Sequence, residues 1–482
     1  MPYSQTLPLR RIFTFAVSIR FSLLLWALST YTFAVGLVPL VTQVSRNYPL
    51  NPWEAATTVE AARWAAGQPV YESPDSGHAT LIYGWLHTAS IAAVQGLFAP
   101  SNQLARWVAL IATCFLLWGL TRIAAAGMSL AEKIWVLSAF FAVNGLADCY
   151  FIAARPDMAA YALGFAGLCV SYGARSTGRW LFAALLFCLS LSFKQTGAVF
   201  AAIPLFAHLR GEAPTKWWWP WLPVFSVLGY LFFLRWLAPH VFFYMFGVFT
   251  QFPIAPRVFL FALWKILCQS PLLMVLAALA LVQTRFTVTR LLWWSIVSLG
   301  LFALTSSMSY AKAGGSTNSL IPFYLACAFT CALVIRELGL FEAEAPRARL
   351  LGLLVCFLWV LQWYPTGPAL NRGYLGEDLR QQGYTDTVRA IALLRGRVVC
   401  PEDPTLVLFA KSELGKNVYL ERDIRPVWSE MPPSIARTIE QADYVVDVER
   451  WFGDEYIRPT ILTRLGFKLH QQLPSYSIWK KS

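Results

Sequence analysis

A ladder of long apolar runs, broken near its start by one acidic loop, limits what this chain can become. Runs long enough, or nearly long enough, to cross a bilayer lie at 21–43, 80–98, 106–125, 133–151, 157–173, 180–193, 196–209, 217–237, 262–282, 290–309, 318–335 and 349–364. A full crossing takes ~20 residues of helix, and in lipid only a helix or a closed barrel satisfies its own backbone. The ladder therefore predicts an all-α polytopic membrane protein of about 11–13 spans or partial spans. Composition agrees: the chain is 57% hydrophobic and 13% charged, where soluble domains run near ~25% charged. Its 21 tryptophans suit the membrane interface. The net charge of +13 is scattered through short connections, so it reads as a topology signal and not as a nucleic-acid stripe.

The cysteines fall mostly within apolar runs and form no CxxC pair, which excludes a disulfide framework and a zinc site. The histidines, His78, His87, His208, His240 and His470, stand alone, and neither GxSxG nor HExxH occurs. The chemistry left is a carboxylate base with cationic anchors, which fits group transfer from a phosphate leaving group.

Arg10, Arg11 and Arg20 precede the run from Phe21 to Thr42, which is too long for a signal-peptide core. It predicts a retained signal anchor with residues 1–20 in the cytoplasm. Basic connections near Arg175/Arg179, Arg210/Lys216, Arg285/Arg290 and Arg336/Arg347/Arg349 are placed inside. Loop 44–79, Ala154–Asp157, Lys312–Asn318 and the tail after Tyr364 then face outward. The scheme requires either 106–125 or 133–151 to be a partial span, or Asp157 falls on the inner side. The short runs flanking Ser192–Gly197 predict a hairpin that stops inside the protein. A transmembrane domain over 21–364 is followed by a soluble extracytoplasmic α/β domain over 365–482. In that tail Val398-Val399, Thr405–Phe409 and Ala442–Asp447 read as strands, and Ile457–Leu465 as a helix. No internal repeat of the secondary-transporter kind is evident.

Ionisable groups at membrane depth need a reason, and four clusters stand out. Asn51-Pro52-Trp53-Glu54, with Glu60 and Arg63 downstream, predicts a short helix beginning near Trp53 whose alanine-rich face lies on the membrane surface. Glu54 is there a base or a helix-dipole partner. Asp148 and Arg155-Pro156-Asp157 combine a helix start with an arginine whose planar fork suits a phosphate. Lys194-Gln195-Thr196-Gly197 offers a lysine for a phosphate or for one of those carboxylates. Lys312 to Asn318, with Gly314-Gly315, is an anion-binding helix start or a flexible connection.

At these residues the chain resembles the polytopic membrane glycosyltransferases of the GT-C fold, which use polyprenyl-phosphate-linked sugars. Asn51 to Glu54, continuing to Gly67-Gln68-Pro69-Val70-Tyr71, resembles their first outer loop, and the other three motifs follow in matching order over residues 10–370. The resemblance implies an inverting hexosyl- or pentosyltransferase of the cytoplasmic membrane, working at its outer face on the cell envelope. It implies Glu54 as general base, with Asp157 as a second acid that helps hold a divalent metal in some relatives. Arg155, Lys194 and Lys312 would face the lipid phosphate, with Gln195, Asn318, Glu60 and Tyr71 as further binding residues. The donor would be a polyprenyl-phosphate sugar and the acceptor a lipid, glycan or protein. Relatives often carry an Asp just before the loop glutamate; here Asn51 and Pro52 hold those places, which leaves metal binding at the loop open and Glu60 as an alternative base. The rival readings are a transporter or flippase of a lipid-linked sugar, and a non-catalytic assembly subunit.

Overall fold

The computed structural model describes residues 40–482 except 147–149, 209–215, 269–288, 313, 338–366, 426–430 and 449–456, together with parts of 23–38. Asp148, the run at 349–364, most of that at 262–282 and parts of the signal-anchor run thus lie outside the described residues. Four described helices are long and apolar enough to cross a membrane: Asn102–Ala124, Trp219–Leu237, Arg290–Ala311 and Thr317–Glu337.

The chain divides into two compact units, one of Met1–Leu40, Cys114–Asp148 and Ile254–Leu370, the other of Val41–Thr113, Cys149–Pro253 and Asn371–Ser482. In the first, Arg290–Ala311 packs on Ile321–Glu337. The latter is buried on nearly every side, as expected of a helix that is apolar all round. Its last turn places Arg336, which donates to the carbonyl of Ile123 at 3.0 Å.

In the second unit the outer loop opens with the helix Pro52–Ala65. Asn51 caps it, its side chain accepting from the Glu54 amide at 3.0 Å, and Pro52 occupies the first turn where no amide is needed. This helix does not lie on a membrane surface; most of its residues are buried in protein. The alanines are the reason, because they admit close neighbours on several sides. Ala56 meets Leu81, Tyr83 and Leu420, while Ala61 meets Ile91 and Ala92. The run at 80–98 yields a helix of only 11 residues, Trp85–Gln95. Before it the chain runs extended past Gly84, whose amide donates to the Phe193 carbonyl at 3.0 Å. A side chain at Gly84 would fall 1.8 Å from the Ser192 carbonyl oxygen, so glycine is required there. The expected hairpin is present as Thr177–Phe193 and Ala198–Ala207, with Lys194 extended between them.

The tail carries a four-stranded sheet of order β1-β2-β4-β3. β1 (Val398–Val399) pairs parallel with β2 (Tyr444–Val448), and β4 (Tyr476–Lys481) runs antiparallel to both β2 and β3 (Phe467–Leu473). Thr405–Phe409, expected as a strand, is part of the helix Thr405–Lys411. Pro404 precedes it, and Asp403 accepts from the Thr405 amide at 3.2 Å and from its hydroxyl, which sets a helix start. The β3–β4 hairpin gave no sequence signal because β3 is a polar, largely exposed edge strand.

Asp403 is fully buried, and its Oδ2 has no hydrogen-bond partner among the described residues. Tyr384 donates to the Thr405 hydroxyl at 2.7 Å and closes the cluster. Burial pushes the Asp403 carboxyl up to about 7. A carboxyl raised in the folded state stabilises below its unfolded value, and that stability is lost as pH rises through the folded one. Thermal unfolding of the wild type should therefore lose up to about 1.4 kcal/mol per pH unit from this group between pH 4 and 7. Asp403→Asn should flatten that slope; an unchanged pH profile in the variant would contradict the assignment.

Candidate functional site

Glu54 in the first turn of the loop helix is wholly buried. Its Oε1 accepts from Arg106 Nε and the Ala154 amide, both at 2.8 Å. Its Oε2 accepts from Arg106 Nη2 at 2.8 Å and the Leu50 amide at 2.5 Å. A carboxylate offers about four acceptor positions, so these donors use the group fully. Arg106 also donates to the carbonyls of Gln43 (2.9 Å), Arg46 (2.7 Å) and Tyr48. The pair thereby pins segment 43–50, the loop helix, the start of Asn102–Ala124 and the 150–157 stretch to one another. Arg106 escaped the sequence reading; the available signal was its place at the head of an apolar run, where a charge needs a partner.

The 150–157 stretch is non-helical and buried up to Pro156. It presents Arg155 to three rings, with the guanidinium 4.9 Å from the centroid of Tyr83, 5.1 Å from Tyr150 and 5.4 Å from Trp53. It also donates to the Tyr83 hydroxyl. Asp157 begins the next helix, its Oδ2 lying 3.7 Å from Arg155 Nε and its Oδ1 accepting from Lys194. Gln195 braces the same break, donating to the carbonyls of Ile82 (2.5 Å) and Met245 (2.7 Å).

The tail reaches this cluster. Asp423 Oδ2 accepts from the Trp53 indole at 2.7 Å, and its Oδ1 sits 3.7 Å from Arg422 Nη2. Burial raises its carboxyl, while the neighbouring Arg422 and Arg155 oppose the rise. Glu421 accepts from the Ala79 amide at 3.1 Å. Nothing local in the sequence marked Glu421 or Asp423. Three buried cations, Arg155, Lys194 and Arg422, are thus grouped with three carboxylates, Asp157, Glu421 and Asp423. Asp157 pairs with the cations Arg155 and Lys194. Among the described residues no group of three His, Cys, Asp or Glu side chains is arranged to hold a metal. This donor set does not fit a divalent metal.

Glu60 lies further along the loop helix. It is buried, with Oε2 3.1 Å from His78 Nε2 and accepting from Thr80 at 3.0 Å, and Oε1 3.6 Å from Arg63. Tyr71 donates to the Tyr83 carbonyl at 3.3 Å and sets its ring against Trp64 and Tyr244. Glu54, Glu60, Tyr71, Arg155, Asp157, Lys194 and Gln195 therefore all belong to one compact unit. Lys312 and Asn318 belong to the other. There Lys312 bridges to Ile254 in antiparallel fashion, and Asn318 accepts from Ser316 at 2.6 Å. The Gly315 amide is spent on the Lys312 carbonyl at 2.8 Å, and a side chain at Gly315 would fall 2.3 Å from the Tyr310 carbonyl. The glycine pair serves a tight turn, with Gly314 at φ +79°.

Neither a sequence-family model nor a curated protein sequence matches the chain. Its fold matches ArnT from Cupriavidus metallidurans, a GT-C glycosyltransferase, in the apo state at 12% identity and a TM-score of 0.56, covering 93% of this chain and 97% of that one. The same ArnT bound to undecaprenyl phosphate matches at 13% identity and a TM-score of 0.57, with the same coverage. The chain has the GT-C fold, that of a polytopic membrane protein.

Removing one partner of a buried ion pair leaves an uncompensated charge at a cost of ~3–5 kcal/mol. Arg106→Ala and Glu54→Ala should each lower the thermal midpoint sharply and expose the outer loop to protease. Arg106→Met combined with Glu54→Leu should recover part of the loss. Single variants as stable as the wild type would deny the pair its anchoring role.

Proposed function

We propose that the chain is an inverting glycosyltransferase moving a hexosyl or pentosyl unit from a polyprenyl-phosphate donor to an acceptor hydroxyl at the outer face of the cytoplasmic membrane. The observation that carries this reading is the pair of buried cations, Arg155 and Lys194, sharing the single carboxylate of Asp157 within a GT-C fold. Two buried cations that share one carboxylate, screened from water, favour a ligand that arrives negative or becomes more so. The ArnT structure with undecaprenyl phosphate supports the choice of donor class.

Arg155 and Lys194 hold the phosphate, Asp157 orients both, and Asp423 steadies Arg155 through Trp53. Gln195 fixes the break that carries Lys194, and Tyr71 supports the backbone at Tyr83. Glu54, expected from the resemblance as the base, has its acceptor positions occupied and is assigned an anchoring role. The better candidate is His78 backed by Glu60, whose Oε2 lies 3.1 Å from His78 Nε2 and so orients the ring with Nδ1 as the basic nitrogen. The acceptor O–H proton passes to that nitrogen, and Glu60 stabilises the resulting imidazolium. The acceptor oxygen attacks the anomeric carbon on the face opposite the phosphate. The bond from that carbon to the phosphate oxygen breaks, and its electron pair leaves on the polyprenyl phosphate.

General-base help is worth ~10²–10⁴-fold. With the purified chain in proteoliposomes, Glu60→Gln should lose turnover by about that factor while still binding donor lipid. Arg155→Ala and Lys194→Ala should cost about 10²-fold or more. Mass spectrometry of released polyprenyl phosphate is the readout. Movement of intact donor across the bilayer without release of polyprenyl phosphate would overturn the transferase reading in favour of a flippase.

A further inference from the structure

A cavity of about 420 Å³ opens beside the outer loop, walled by Arg63, Glu72 and His78 from the loop and by Arg397, Glu413 and Lys416 from the tail. We infer that it binds an anionic saccharide and is the acceptor subsite of the transfer proposed above, a role that rests on that reading. Its volume lies in the ~300–1,000 Å³ range of small-molecule sites.

The charges on its walls do not neutralise one another. Arg397 donates to the Gln441 amide oxygen at 3.1 Å and Lys416 to the Gly77 carbonyl, both neutral acceptors. Among the described residues neither cation has a carboxylate within ion-pair distance, and neither Glu72 nor Glu413 has a cation there. Unneutralised cations supply charge-assisted donors for a phosphate or carboxylate, and unneutralised carboxylates accept from hydroxyls. One ligand class offers both kinds of group, a sugar bearing an anion. His78 lines the same cavity, with Nε2 turned to Glu60. A ligand hydroxyl set against Nδ1 is thereby in place to give up its proton.

A second cavity, of about 590 Å³, supplies the contrast. It lies against the same loop helix, and its walls mix apolar Ala62, Val388 and Phe409 with uncharged polar Asn47, Gln103 and Thr385, with no cation or carboxylate among them. It offers no charge to recognise an anionic sugar.

The test uses the purified full chain with glucose 6-phosphate, glucuronate and glucose as probes, followed by saturation-transfer NMR. Both anionic sugars should bind about tenfold more tightly than glucose, and the stronger of the two identifies phosphate or carboxylate as the favoured anion. The double variant Arg397→Ser/Lys416→Ser should lose that preference while staying folded by circular dichroism; Arg397 is exposed and Lys416 half-buried. In the transfer assay it should raise the acceptor KM about tenfold, leaving kcat and the donor KM unchanged. Equal binding of all three probes, or a preference that survives in the double variant, overturns the assignment. Selective binding of anionic sugars by a chain that transfers none retains the site and removes only its role as acceptor subsite.

Discussion

The buried pair of Glu54 and Arg106 is the interaction on which the rest of this site depends. Both side chains are out of water, where an isolated charge is costly and a fully hydrogen-bonded pair is tolerable. The geometry meets that demand: two parallel bonds join guanidinium to carboxylate, two backbone amides complete the carboxylate, and three carbonyls complete the guanidinium. Four stretches of chain are fixed as a result. Trp53, next in sequence to Glu54, is then held between Asp423 and Arg155.

From that anchor the electrostatics run outward in order. Arg155 is caged by aromatic faces that accept a cation without neutralising it. Asp157 is shared by two cations, so neither is fully compensated. Away from water such a grouping acts more strongly than the same charges would at a surface. The tail is a structural part of this arrangement, because residues 416–423 hydrogen-bond to the outer loop at Gly77, Ala79, Pro52 and Trp53. A domain that only covered a cavity would not need to place carboxylates and cations among its residues.

Much of this was legible in the sequence. The apolar runs give the membrane class because their length and period depend on neighbouring residues alone. The loop helix was legible from Asn51 and Pro52, and the broken hairpin from Lys194 and Gly197. Helix lengths were less so: the run at 80–98 becomes a short helix because the chain before it must pass close to Ser192 and Phe193. The Thr405 helix was misread as a strand because its start is set by Asp403, whose role shows only once the side chain is seen bonded.

What the sequence determined by itself was a helical membrane architecture, an early loop rich in acids, and which few ionisable residues needed a reason to exist. These follow from local composition and spacing, since lipid penalises each exposed polar group wherever it occurs. Only the tertiary structure decided the contacts. It filled the acceptor positions of Glu54 and paired Glu60 with His78. It set Asp157 between Arg155 and Lys194 and brought Asp423 from the far end of the chain to Trp53. A carboxylate is anchor or base according to how many donors surround it, and those donors come from segments tens to hundreds of residues away.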